Sequence, residues 1–297
     1  MKKFVVNLTS FLLILLLYFG ANAFINYCIY TLRPVPLAHR NVLIIGDSHT
    51  QQSLNPNLFT SAHNISLAAD PYVVLYWKLQ KIVETYHPDT IILGFAPHNI
   101  SQFNDTKFSV NDEGNWASEI FKRTYPIEHF HEIDSIVPVD YLTYYKILWK
   151  QICFYPKINH ENYIGYYYSS PITWVPAEWK MTINKHYYLH EKELGVSAIS
   201  VSYLDSIVNL CQQQNIVLVL ASNPVHKNYF ERIPSTIWNK YSALKNGYKN
   251  KAIIIDRTQE YYPDSLHLDA DHLNEGGAHR FTREVIEDLK KQKRTGN

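Results

Sequence analysis

From residue 41 onward, short uninterrupted apolar runs alternate with longer stretches in which apolar residues recur at helical spacing. Val42 to Ile45 and Thr90 to Phe95 are apolar enough to be strands buried on both faces, as are Ile216 to Ala221 and Ala252 to Ile255. Asn64 to Asp70 reads as a further short strand leaving into a loop. Between them, Leu75, Leu79, Ile82 and Tyr86 mark one helical face, and Pro71 is placed to open that helix. A short helix is expected from Asn55 to Phe59. Ser197, Val201, Leu204, Val208 and Cys211 mark a long helix, Trp238 to Leu244 another, and Ala278, Phe281, Val285 and Leu289 the last. Strands alternating with helices predict parallel strands joined by crossover helices. The expected architecture is α/β: three layers, α/β/α, around a roughly five-stranded parallel sheet.

Two regions break this rhythm. From about 103 to 190 the chain is rich in Tyr, Trp, His and Pro, with Tyr166-Tyr167-Tyr168, Trp174 and Trp179 prominent and little clean periodicity. It reads as an insertion following a strand, where binding walls and lids commonly form. Its aromatic residues suit internal packing or a platform for sugars. The other region is the N-terminus. Lys2 and Lys3 precede an almost uncharged run to Tyr30, about 27 residues where a bilayer span needs about 20. The lysines favour the cytoplasmic side, which puts the rest of the chain beyond the membrane. Ala21-Asn22-Ala23 offers a signal-peptidase site, and secretion after cleavage near Ala23 is the alternative. Apolar residues continue past it, which favours a retained transmembrane anchor. Cys28 lacks the small-residue setting of a lipid-modified cysteine. The expected organisation is an anchor over 1–30, an extended linker over 31–40 carrying Pro34 and Pro36, one domain over 41–290 and a polar tail over 291–297.

Composition narrows the functional classes. With 28 basic and 27 acidic residues, the chain has no basic field to attract nucleic acid. The three cysteines, Cys28, Cys153 and Cys211, show no metal-binding spacing, and Cys211 falls on the core face of its helix as a buried thiol. No cofactor or resident metal is indicated.

The chemistry concentrates at two distant places. Gly46-Asp47-Ser48 follows the first strand directly, which sets a hydroxyl at a strand's C-terminal end, where open α/β sheets bind ligands. Gly46 permits a tight turn there. Asp269-Ala270-Asp271-His272 precedes the closing helix. A serine hydroxyl needs a base in hydrogen-bond reach, and the base needs an orienting acceptor. Ser48 is the candidate nucleophile, His272 the base and Asp269 the orienter, with Asp271 as the alternative orienter or a solvated loop residue. Asp47 is expected to brace the turn. His49 has either a pocket-lining or a structural role, and His98 lines the site or caps a strand end. The Asn-x-Ser/Thr triplets at Asn64, Asn99 and Asn104 are weak patterns.

In these residues the chain resembles the SGNH (GDSL-type) hydrolase superfamily, in a membrane-anchored form related to envelope esterases and O-acyltransferases. Gly46-Asp47-Ser48 is similar to its first block, and Asp269-x-x-His272 with the trailing Leu273-Asn274 to its last. Asn64 to Asp70 is similar to the second block, with Ala69 in place of a glycine, and Gly94 to Asn99 to the third, with extra residues. The resemblance implies an SGNH (flavodoxin-like) fold and Ser-His-Asp acyl-enzyme chemistry on acyl esters. It also implies an oxyanion hole made by the N–H groups of Ser48 and Ala69 and the amide of Asn99. With the anchor, it implies an acylated small molecule or a cell-envelope glycan as substrate, met outside the cytoplasm. Two other readings compete. One is a non-catalytic glycan- or partner-binding protein on the same fold, suggested by Ala69. The other is a metal-dependent phosphoesterase built around Asp47-x-His49.

Overall fold

The computed structural model describes residues 1–32, 40–109, 116–124, 129–156, 164–172 and 179–295. The chain begins with α1 (Lys2–Leu32), continuous and apolar over Lys2–Ile29, long and apolar enough to cross a bilayer. Most of the expected linker, with Pro34 and Pro36, lies outside the described residues, as does Trp174. Then come β1 (Val42–Ile45), α2 (Ser48–Ser53), β2 (Ala62–Asn64), α3 (Tyr72–Tyr86) and β3 (Thr90–Gly94). The insertion follows, with α4 (Trp116–Thr124), α5 (Tyr141–Cys153), α6 (Trp179–Tyr187) and a hairpin of β4 (Tyr188–Leu189) and β5 (Lys192–Glu193). The chain closes with α7 (Ala198–Gln213), β6 (Val217–Ser222), α8 (Lys227–Phe230), α9 (Ser235–Gly247), β7 (Ile253–Asp256) and α10 (Glu275–Thr295).

The main sheet has five strands in the order β2-β1-β3-β6-β7, all parallel. Side chains on a strand alternate between faces, and the sheet uses this fully. Leu43, Ile45, Ile91, Leu93, Leu218 and Leu220 join the core shared with α3, α7 and α9. Ile44, Ile92, Val219 and Ile255 face the other way, onto Phe281 and Val285 of α10. Strands buried on both sides explain the unbroken apolar runs. The expected three-layer α/β/α arrangement with five parallel strands is present.

Several boundaries differ from expectation. The second strand ends at Asn64, and residues 65–70 form the loop beyond it. Only a three-residue 3-10 turn, Pro56–Leu58, forms where a helix was expected, because Leu54 and Asn55 are extended. Helix α2 begins instead at Ser48, capped by Asp47. Pro71 is the N-cap of α3 and lies just outside it. Helix α10 runs through most of the expected tail, to Thr295. All three cysteines are free thiols, and Cys211 is buried.

The strand order places the site. From β1 the chain passes outward to β2, then returns across to β3 on the other side. The loops leaving β1 and β3 therefore diverge, and the crevice between them is where doubly wound sheets bind ligands. Ser48 follows β1, and Asn99 follows β3.

Candidate active site

The strand ends meet closely at Gly46 and Gly94. A Cβ on Gly46 would lie 2.7 Å from Thr50 Cβ and 3.3 Å from Gly94 Cα, so a side chain there would push α2 off the sheet. The Asp47 carboxylate then accepts from His49 N at 3.0 Å and starts α2 with Ser48 as its first residue. Ser48 Oγ lies 2.8 Å from His272 Nε2. On the far side of the ring, His272 Nδ1 is 2.9 and 3.0 Å from the two oxygens of Asp269. The backbone N–H groups of Asp271 and His272 donate to Asp269 Oδ1 at 3.1 and 2.8 Å, which fixes the carboxylate in its turn. With the Nδ1 proton held by carboxylate, neutral His272 offers Nε2 as acceptor to the Ser48 hydroxyl.

Asp271 is a correction to the sequence reading. It is not a solvated loop residue but is 1% exposed. Its Oδ2 accepts from His49 Nε2 at 2.8 Å, and its Oδ1 lies 3.2 Å from His272 Nδ1. The base thus stands between two carboxylates. Burial opposes its charge, but Asp271 and then Asp269 raise its pKa well above the ordinary imidazole value.

His49 and His98 also sit beneath the site, each 4% exposed, rather than along an open pocket wall. The His49 ring stacks on His272 with centroids 4.5 Å apart. His98 Nε2 donates to Asp47 Oδ2 at 2.6 Å. Burial opposes ionisation of Asp47, yet His98 and then His49 hold it well below the usual carboxylate range. His49 is pushed up despite burial, by Asp47 and Asp271 on either side. His98 is driven down to about 4, first by burial and then by His49, and stays neutral. His186 of α6, unforeseen from sequence, stacks on His98 at 4.8 Å and bonds Tyr229 OH at 2.8 Å. The floor of the site is therefore a buried chain of carboxylates and imidazoles reaching into the insertion.

The three candidate oxyanion donors stand as follows. Ser48 is the first residue of α2, so its N–H has no intrahelical acceptor. Ala69 adopts the left-handed conformation, φ 66°, that glycine would take more cheaply. Among the described residues neither N–H has a hydrogen-bond partner. Asn99 Nδ2 donates to Asp47 Oδ2 at 2.7 Å and lies 3.1 Å from His98 Nε2, and Asn99 Oδ1 accepts from Ala96 N at 2.9 Å, which locks the amide. Two buried lysines and the partly buried Arg123 brace the Ala69 turn. Arg123 Nη1 donates to Ala68 O at 2.7 Å and to Asp70 Oδ1 at 2.8 Å. Lys78 Nζ pairs with Asp70 Oδ2 at 2.9 Å, and Lys107 Nζ donates to Ala69 O at 3.0 Å. Burial lowers Lys107 to about 7. The Arg123 contact polarises the Ala68–Ala69 peptide and makes the Ala69 N–H a better donor. Lys78 was readable in the sequence: it lies between Leu75 and Ile82 on the apolar face of its helix.

Part of the insertion is pinned at positions three residues from Ala69, Ser48 and His272. Tyr166 N donates to Ser66 O, Tyr168 N to Gln51 O, and Glu275 N to Ser170 O. This strap leaves Tyr166 and Tyr168 half exposed. Trp179, by contrast, packs under the Arg232 guanidinium, 4.0 Å from its centroid. Asn64, Asn99 and Asn104 are buried and spent on internal hydrogen bonds, so the three triplets are not glycan acceptors. Asp47, His49 and His98 are close enough to hold a metal ion, as are His49, Asp271 and His272. Their ligand atoms are largely engaged with one another: Asp47 Oδ2 by His98 and Asn99, His49 Nε2 by Asp271.

No protein-family model matches the chain, and no curated protein matches it. Solved structures are similar at low identity. A GDSL-like lipase from Bacteroides thetaiotaomicron is 12% identical over 91% of this chain and 98% of its own, with TM-score 0.42. An acetylxylan esterase from Geobacillus stearothermophilus is 12% identical over 85% and 94%, TM-score 0.38. The psychrotrophic esterase EstA from Pseudoalteromonas is 10% identical over 85% and 98%, TM-score 0.35.

Proposed function

We propose that this protein is a membrane-anchored serine esterase or O-acyltransferase of SGNH type, acting on acyl esters outside the cytoplasm. The reading rests on the Ser48–His272–Asp269 geometry. Ser48 Oγ attacks the acyl carbonyl while His272 Nε2 takes its proton. The N–H groups of Ser48 and Ala69 and the amide of Asn99 receive the oxyanion, each worth about 3 kcal/mol of barrier. Collapse returns the proton to the leaving alcohol and leaves Ser48 acylated. Water, or a second hydroxyl, then attacks the acyl group with His272 again as base. Asp269 orients the ring and stabilises its cationic form, and Asp271 raises its basicity.

The anchor is α1, with Lys2 and Lys3 on the cytoplasmic side. A cell-envelope glycan ester suits this placement. The two exposed tyrosines of the strap supply faces on which a sugar ring can stack.

The test compares wild type with Ser48→Ala on a short-chain aryl ester and with a fluorophosphonate probe. Wild type is expected to hydrolyse the ester and take up the probe covalently. The variant is expected to lose labelling and at least about 10⁴-fold in kcat. Equal rates would reject the serine mechanism. No labelling of folded wild type would favour a non-catalytic binding protein, and activity lost only on chelation a metal-dependent one. Adding sugar acceptors and measuring transfer against hydrolysis separates acyltransferase from esterase.

A further inference from the structure

Helix α5 lies in the insertion and packs along α1. The Phe19 ring is 4.8 Å from that of Trp149 and 5.5 Å from that of Phe154. Asn22 and Asn26 interrupt the apolar composition of α1, and both are buried. Asn26 Nδ2 donates to Ile152 O at 2.6 Å and Tyr155 O at 2.9 Å. Asn22 Nδ2 and Tyr18 OH both reach Phe154 O, at 3.5 and 2.5 Å. These are carbonyls at and just beyond the C-terminal end of α5, where a helix leaves acceptors without internal partners. Water satisfies such groups at an ordinary surface. Side chains on an apolar helix must do so where water is scarce.

The depth agrees. At 1.5 Å per residue, Tyr18 lies about 24 Å and Asn26 about 36 Å along the helix from Lys2. A hydrocarbon layer of about 30 Å ends between them. A second stripe of α5 is also apolar. Tyr144 packs inward on Phe121 and Phe130, while Leu142 and Tyr145 are exposed and Trp149, at the edge of the contact with Phe19, is half exposed. Lys146 and Lys150 flank them, also exposed. A helix with two apolar stripes, edged by lysines and set beside a candidate span, has the composition of an interfacial membrane helix.

We propose that α5 lies in the bilayer interface beside α1. Leu142, Tyr145 and Trp149 sit among the lipid chains, and Lys146 and Lys150 reach the headgroup phosphates. The occupant of this face is lipid. This extends the anchor reading and rests on it: the domain is held against the membrane at a second point, in a fixed orientation, rather than swinging on a tether.

The experiment reconstitutes the full chain and Trp149→Phe in phosphatidylcholine–phosphatidylglycerol vesicles, with or without bromine on the upper acyl carbons. Trp149 is one of six tryptophans, so brominated lipid is expected to remove up to about a sixth of wild-type emission that the variant does not lose. Fluorophosphonate labelling of the variant at the wild-type rate shows that it is folded. Equal quenching of both proteins, with both retained on vesicles after alkaline carbonate, would overturn the docking of α5 and leave the anchor standing. Release of the wild type by carbonate would overturn both.

Discussion

Asp271 changes what the pH dependence should look like. A general base works in its neutral form, and the His272 pKa lies well above the ordinary 6.5 because Asp271 and Asp269 outweigh burial. Activity should therefore fall away on the acid side from a point above that value. Asp271→Asn removes the larger of the two favourable charges. The acid limb of kcat/KM is expected to move to lower pH. Asp269→Asn is expected instead to lose kcat by up to about 10⁴-fold, since it also loses the ring's orientation. A pH–rate profile of the two variants checks both statements; an unmoved limb in Asp271→Asn would mean that this carboxylate does not act on the base. The same residue shows where sequence reading stops. Asp269 and His272 could be paired because they lie three positions apart in one loop. The burial of Asp271 depends on His49, 222 residues away, and on His186 in the insertion behind it. No local pattern encodes that meeting. Ala69 is similar: its identity is visible in the sequence, but its φ of 66° is enforced by Arg123 and Lys107 from a region without periodicity.

At the scale of elements, the strands and crossover helices were legible because burial on both faces writes itself as unbroken apolar runs. The end of β2 and the extent of α2 were not, because neither is set by hydrophobic pattern. Asp47 starts α2 with a single hydrogen bond, and the close approach of β1 and β3 behind it leaves no room for a side chain. Gly46→Ala is expected to destabilise the fold by about 1–3 kcal/mol through overpacking against Thr50 and Gly94. It should also slow fluorophosphonate labelling, because α2 carries Ser48. Chemical denaturation and labelling kinetics measure the two effects, and unchanged values for both would show that the strand ends can separate freely. The insertion divides by element as well. Its strap beside the site, α6 behind the histidines and α5 along α1 do three different jobs, which one aromatic-rich composition could not distinguish.

For the molecule as a whole, the two halves of the proposed triad are brought together by α10 packing beside α2. Thr282, buried in α10, accepts from Asn55 N at 2.9 Å and bonds Ser53 O at 3.1 Å, tying the last helix to the first loop of the domain. Thr282→Val keeps the shape and removes those partners, at an expected cost of about 1–2 kcal/mol measured by denaturant unfolding. A cost near zero would mean that apolar packing alone closes the domain. The separation of 224 residues from Ser48 to His272 carries a further meaning for how the protein is made. Ser48 is synthesised long before His272. On the proposed mechanism, an unfinished polypeptide holds the hydroxyl without the imidazole that would activate it, so the order of manufacture alone keeps the nascent chain inert.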